Sequence, residues 1–115
     1  MKFIISEHRL DKLINKFIDE YIKDKFDRYQ NESQITYSVM EQREDADYYT
    51  IFVEYTNHDG GLYIEDYFVD LITNMFGISP IESMNKIHEW FERYEGIRAK
   101  YLEGYYKGEK YIVKL

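Results

Sequence analysis

The sequence predicts one α+β domain in which a small antiparallel sheet is flanked by about three helices. Three observations indicate this fold: helix-spaced apolar residues near the start, alternating segments in the middle, and a helix-start signature at Ser79-Pro80. The 115 residues correspond in size to a single domain, residues 1–115, with its own core. We expect the element order β-α-β-β-(β)-α-α-β-β, in which the bracketed strand is short.

The first helix is predicted by apolar residues that recur at the spacing of one helical face. They are Leu10, Leu13, Ile14, Phe17, Ile18, Tyr21, Ile22 and Phe26. This spacing predicts a helix from about Glu7 to Asp27, with Ser6 as its N-cap. The apolar residues 3–5 precede it as a short strand or arm, and the polar residues 29–33 follow it as a connection.

Apolar and polar residues alternate in residues 35–39 and again in residues 49–55, which is the pattern of half-buried strands. The charged residues 42–47 between them predict a hairpin loop. The sequence Asn-His-Asp-Gly-Gly at residues 57–61 predicts a turn, and residues 62–64 predict a further short strand. We expect these strands to form an antiparallel sheet with one face in water.

A second helix is predicted by the apolar spacing from Ile64 to Phe76, and Gly77 ends it in the left-handed conformation. Residues 111–115 predict a closing strand. The regions around Gly104 and Gly108 are interpreted as turns.

The third helix has the clearest local signature in the chain. Ser79 is the predicted N-cap, Pro80 occupies the first helical position, and Glu82 completes a capping box. We expect this helix to end near Gly96. The residues expected to point into the core are Ile81, Met84, Ile87, Phe91 and Tyr94.

Negative charge is concentrated in the segment from Glu41 to Asp70. That segment contains nine carboxylates and one base, Arg43, whereas the whole chain has a formal net charge of −7. Such a segment produces a negative field that repels nucleic acid and membranes and favours a basic protein partner. The alternative interpretation is a face that only keeps a small acidic domain in solution.

The predicted partner-binding residues combine these carboxylates with tyrosines, because tyrosine is frequent in protein interfaces. They are Glu41, Glu44, Asp45, Asp47, Tyr48, Tyr49, Glu54, Asp59, Tyr63, Glu65, Asp66 and Asp70. A second possibility concerns the tail, where bases mix with tyrosines as in proteins that hold single-stranded nucleic acid. Its residues are Arg98, Lys100, Tyr101, Tyr105, Tyr106, Lys107, Lys110, Tyr111 and Lys114. The acidic net charge argues against nucleic acid as a partner.

The sequence has few residues that suggest catalysis. It has no cysteine, and His8, His58 and His88 do not have metal-binding spacing. His88 is interpreted as a histidine at a helix boundary, and Asp59 as a turn aspartate that bonds its own backbone. We therefore expect no enzyme activity, no cofactor and no metal site. The lack of cysteine and of a long apolar run predicts a cytoplasmic protein without a membrane partner.

The opening Met1-Lys2-Phe3-Ile4-Ile5-Ser6-Glu7-His8-Arg9-Leu10 and the segments 62–64, 76–78 and 90–91 resemble small uncharacterised accessory proteins of tailed bacteriophages. This resemblance implies a phage accessory protein that acts in the host cytoplasm. Its expected role is binding a host or phage protein, with inhibition of a defence factor as one form. The alternative is a minor virion or assembly protein, or a homo-oligomeric scaffold. The resemblance rests on no motif that assigns a role to a residue.

Overall fold

A computed structural model describes residues 7–42, 44–45 and 47–115, apart from the side chains of Glu7, Glu41, Gln42, Asp47 and Tyr48. The elements within these ranges are α1 (Glu7–Lys25), β1 (Asp27–Gln30), β2 (Gln34–Gln42), β3 (Asp47–Thr56), β4 (Gly61–Ile64), α2 (Asp66–Phe76), α3 (Pro80–Glu95), β5 (Tyr101–Tyr106) and β6 (Glu109–Lys114). The α+β class is confirmed. The predicted strand at residues 3–5 and the predicted cap Ser6 lie outside the described residues.

The strands form one sheet in the order β1-β2-β3-β4-β5-β6. Neighbouring strands are antiparallel except β4 and β5, which run parallel. The connection between β4 and β5 contains α2 and α3, and such a long connection is what a parallel pair requires. The prediction of an antiparallel sheet is therefore wrong at this one junction, and the sheet is mixed.

The helices cover one face of the sheet. Met84, Ile87 and Phe91 of α3 are fully buried, as are Leu62 of β4 and Leu102 of β5. Helix α1 adds Ile14, Ile18 and Ile22 to the same core. Burying large aliphatic and aromatic side chains contributes roughly 1.5–3 kcal/mol each, so this cluster is the main source of stability.

The end of α2 and both ends of α3 follow the predicted chemistry. Gly77 and Gly96 are in the left-handed conformation, with φ of 66° and 70°. The backbone N–H of Glu82 donates to Ser79 Oγ at 3.1 Å. Caps of these kinds satisfy backbone groups that have no partner within the helix. These short motifs therefore determine where α2 ends and where α3 begins and ends.

Other details of the helices differ from the prediction. Helix α1 ends at Lys25, two residues before Asp27. Ile81 and Tyr94, which were expected in the core, are 42% and 58% exposed. Trp90 and His88 are buried in their place, because α3 is covered on two sides, by the sheet and by α1.

Strand β1 occupies part of the segment predicted as a connection. Its four residues are exposed, so hydrophobic alternation gives no signal there. Arg28 holds the strand to α3: its Nε and Nη2 donate to the two carboxylate oxygens of Glu95 at 2.6 and 2.8 Å. The Tyr37 hydroxyl also donates to Glu95. The bonds from Arg28, more than those from Tyr37, lower the pKa of Glu95.

Gly104, predicted in a turn, lies inside β5. A Cβ atom at Gly104 would lie 3.0 Å from Sδ and Cε of Met84, so glycine lets α3 approach the strand closely. The turn at Gly108 is confirmed. Lys107 and Gly108 there have positive φ, as a two-residue hairpin loop requires.

Strands β2 and β3 are longer than their neighbours and project beyond them. Strand β1 pairs with residues 35–38 of β2, and β4 pairs with residues 53–55 of β3. The remaining part, which we call the arm, comprises residues 39–42 and 47–51 and the tip between them. The register shifts between Tyr37 and Ser38, where the arm begins. Within the described residues, no helix is long and apolar enough to cross a membrane.

Candidate functional site

The candidate site is the face of the sheet opposite the helices, which we call the open face. One row of cross-strand partners runs across it from β1 to β6. Its members are Tyr29, Thr36, Glu54, Tyr63, Glu103 and Ile112. The residues that alternate with this row, such as Val53, Ile64 and Leu102, are fully buried under the helices. Strand alternation therefore places the row on the face away from the helices, where Thr36 is the only one of the six that is buried.

Tyr63 lies between two carboxylates in this row, Glu54 on β3 and Glu103 on β5. Its ring centroid is 6.2 Å from that of Tyr105. Burial, followed by the charge of nearby Glu65, raises the pKa of Tyr63, so the phenol stays protonated and can donate a hydrogen bond. Glu103 Oε1 is 2.9 Å from Lys110 Nζ.

A depression of about 190 Å³ lies around these side chains. It is lined by Glu54, Thr56, Asp59, Gly61, Tyr63, Tyr101 and Glu103. Carboxylates and tyrosine rings are suited to hold an ammonium or guanidinium group by charge and by cation–π contact.

Asp59 is exposed, but its oxygens are engaged within the chain. Oδ1 accepts from the Thr56 hydroxyl at 2.6 Å and from the Gly61 N–H at 2.9 Å. Oδ2 accepts from the Tyr101 hydroxyl at 2.7 Å. These bonds, that of Thr56 above all, lower the pKa of Asp59 to about 2. The interpretation as a turn aspartate is confirmed, and Asp59 joins the β3–β4 turn to β5.

The carboxylates at the arm tip lie far from those on the open face. Glu44 and Asp45 are exposed at the tip. The backbone places Glu41 opposite Tyr48 and Gln42 opposite Asp47, next to the tip. The ten residues of β3 separate the tip from the Asp59 turn by about 33 Å. The predicted partner-binding residues between Glu41 and Asp70 are close in sequence, but they do not form one patch on the surface.

A third group of predicted residues lies at the start of α2. Glu65 is the N-cap, and its Oε2 accepts from the Tyr67 N–H at 2.7 Å. Burial, with the neighbouring Asp66 as a smaller cause, raises the pKa of Glu65. Asp70 accepts a hydrogen bond from Asn74 Nδ2 at 2.9 Å, and Asp66 is exposed. Glu65 thus has a structural task, while Asp66 keeps its carboxylate in solvent.

The sequence patterns do not identify Tyr101, Glu103 and Tyr105 as residues of this site. Tyr101 and Tyr105 belong to the predicted basic tail and Glu103 to no predicted site, but the parallel pairing of β4 with β5 brings them beside Tyr63. Their alternation with Leu102 and Gly104 is the signal that could have identified a strand. Gly104 prevented this interpretation, because a glycine in the sequence is commonly taken to indicate a turn.

The histidines and possible metal ligands do not converge. His88 lies within α3 rather than at a helix boundary, and its Nε2 accepts from the Ala99 N–H at 3.1 Å. His58 is exposed in the β3–β4 turn. In the described part of the chain, no group of three or more His, Cys, Asp or Glu side chains could hold a metal ion.

Comparison of the chain with protein-family models, with curated proteins and with solved structures finds no match. The geometry of the open face is therefore the basis for a functional proposal.

Proposed function

We propose that this chain is a non-enzymatic binding protein whose open face engages a protein partner with a basic surface. The observation that carries the proposal is the row from Tyr29 to Ile112, which presents aromatic, apolar and carboxylate side chains opposite the helix-covered face. Tyrosines supply contact area, and carboxylates such as Glu54 attract a cationic partner.

The composition of the open face favours binding over simple solvation. The wet face of an antiparallel sheet is normally polar. Here Tyr29 and Ile112 are 57% and 56% exposed, and Ile51 is 38% exposed on the same side. Tyr29 and Ile112 lie on the two edge strands and Ile51 lies on β3, so they supply separate apolar contacts across a rigid sheet and not one continuous patch.

The resemblance to phage accessory proteins suggests a setting for this binding and remains a prediction. In that setting, the protein occupies a basic surface of a host or defence factor in the host cytoplasm and inhibits it. Proteins that handle nucleic acid have such surfaces, because they bind phosphates. Carboxylates on the open face and at the arm tip would compete with those phosphates.

Two matched charge variants test the proposal. Glu54→Gln with Glu103→Gln removes two charges from the open face, and Glu20→Gln with Asp24→Asn removes two from the exposed surface of α1. We expect the first variant to capture less of its partner from host lysate, as measured by mass spectrometry of tagged protein, and the second to capture as much as the wild type. Equal capture by all three proteins would contradict the proposal.

A structural or scaffold role is the second candidate. It is favoured by the free edges of the sheet, since within the described residues β1 and β6 each pair with one neighbour. Such edges can add strands from other subunits. Lys110 and Lys114 on β6 oppose self-pairing by their charge. Light scattering of the purified protein distinguishes the candidates, because a scaffold gives a stable oligomer and a binding protein for a basic partner gives a monomer.

A further inference from the structure

Within the part of the chain that the structure describes, the sheet has a gap at the end of β4. In the register, Ile64 is the last residue of β4 and lies between Val53 of β3 and Gly104 of β5. Beyond this point β3 continues as residues 47–52, and β5 continues as residues 105–106. Strands that are second neighbours in a sheet lie about 10 Å apart. The gap between them, which we call the slot, is therefore as wide as one strand.

Among the described residues, no strand pairs with the backbone along the slot. The Glu65 N–H donates to the Phe52 carbonyl at 2.9 Å, and the chain then turns away into α2. Among the described strands, β4 pairs with β3 only at residues 53–55. The edge of β3 beyond Phe52 thus presents backbone groups of the kind to which an extended segment can bond.

Exposed apolar side chains border the slot. Tyr49 and Ile51 of β3 are 63% and 38% exposed. Tyr67 of α2 is 54% exposed, and its ring centroid lies 5.7 Å from that of Phe52. These side chains would lose contact with water if a strand filled the slot, which favours occupation.

Negative charge surrounds the base of the slot. A hollow of about 290 Å³ there is lined by Asp66, Tyr67, Asp70 and Lys107. Glu65 adds a carboxylate beside it, so the acids outnumber the lysine. At the base of the opposite edge, along β2, Lys25 and Arg28 lie close to Asp27, which pairs with Ser38, and Arg28 is bonded to Glu95, so the charge there is balanced. Charge complementarity therefore assigns a cationic occupant to the edge at β3.

We infer that the slot accepts an extended segment of the basic partner as an added strand, in which apolar residues alternate with lysine or arginine. The inference rests on the proposed function and specifies the partner. Side chains of a strand alternate between faces. One set would lie beside Tyr49 and Ile51 on the open face, and the other set would lie toward Asp66 and Asp70. A second copy of this chain fits less well, because its net charge of −7 adds repulsion.

A synthetic peptide in which valine and lysine alternate tests the inference by fluorescence anisotropy. We expect it to bind the wild-type protein. Asp66→Asn with Asp70→Asn should weaken binding about tenfold, the factor for losing two exposed ion pairs, whereas the matched variant Glu20→Gln with Asp24→Asn should not. The same peptide with N-methyl groups on alternate backbone amides should lose binding, because it cannot form the ladder.

Three outcomes would overturn the inference: no binding of the parent peptide, equal binding of the N-methylated peptide, or dissociation by the peptide of a dimer seen in light scattering. The last result would assign the slot to a second copy. The test is separate from that of the proposed function, since Glu54 and Glu103 lie outside the slot. If their replacement weakens capture from lysate while the peptide does not bind, the open face is supported and the slot is not.

Discussion

At the scale of single residues, Gly61 and Tyr101 determine how the open face is built. They are partners across the parallel pair of β4 and β5. The Tyr101 ring lies over Gly61, since a Cβ at Gly61 would be 2.4 Å from Tyr101 Cζ. The Tyr101 hydroxyl then reaches Asp59. A small residue is needed at position 61 because the aromatic ring occupies the space of its side chain.

Gly61→Ala is expected to destabilise the protein. The added methyl group displaces the Tyr101 ring and weakens its bond to Asp59, and overpacking of this kind costs about 1–3 kcal/mol. Urea denaturation measures the effect. The control is Tyr101→Ala in both backgrounds, because removing the ring removes the clash. If Gly61→Ala costs as much without the ring as with it, this explanation is wrong.

At the scale of elements, His88 links α3 to the segment before β5. Its ring is 5% exposed, and Nε2 accepts the Ala99 N–H at 3.1 Å, so the proton of the neutral ring is on Nδ1. Burial lowers the pKa of His88, while nearby Glu92 and Glu89 oppose this effect and Arg98 adds to it. Protonation of Nε2 would remove the acceptor for Ala99.

The lowered pKa of His88 predicts a loss of stability in acid. The folded state favours the neutral ring of His88. The contribution of this ring to the free energy of unfolding is therefore complete above the ordinary pKa of 6.5. It is lost as the pH falls below 6.5 toward the lower pKa that His88 has in the folded state. Urea denaturation at a series of pH values measures this. His88→Gln, whose amide oxygen can still accept a hydrogen bond, should show a smaller decrease in the free energy of unfolding over that range. An unchanged decrease would assign the effect to other groups.

The elements also show which parts of the fold the sequence could predict. Helix α3 was predictable because Ser79, Pro80 and Gly96 act through local backbone chemistry. Strand β1 was not, because it is polar and is held by Arg28 through the distant Glu95. Local patterns carry no information about a contact of this kind, which exists only after the chain has folded.

At the scale of the whole molecule, the helices cover one face of the sheet and leave the other face uncovered. The α+β class follows from composition and periodicity. The open face does not, because two of its six strands, β5 and β6, reach β4 only through the parallel junction. The predicted acidic segment is divided among the arm tip, the open face and the start of α2. On the open face, Glu54 and Tyr63 of the acidic segment lie in one row with Glu103, which is outside that segment.

Oxidative labelling of tyrosines, with and without the captured partner, tests the open face most directly. Tyr29 and Tyr49 lie on the side of the open face, Tyr94 lies on α3, and their exposures are similar at 57%, 63% and 58%. We expect the partner to reduce labelling of Tyr29 and Tyr49 and to leave Tyr94 unchanged. Protection of Tyr94 with no change at Tyr29 and Tyr49 would show that the partner binds the helices, and would contradict the proposed function.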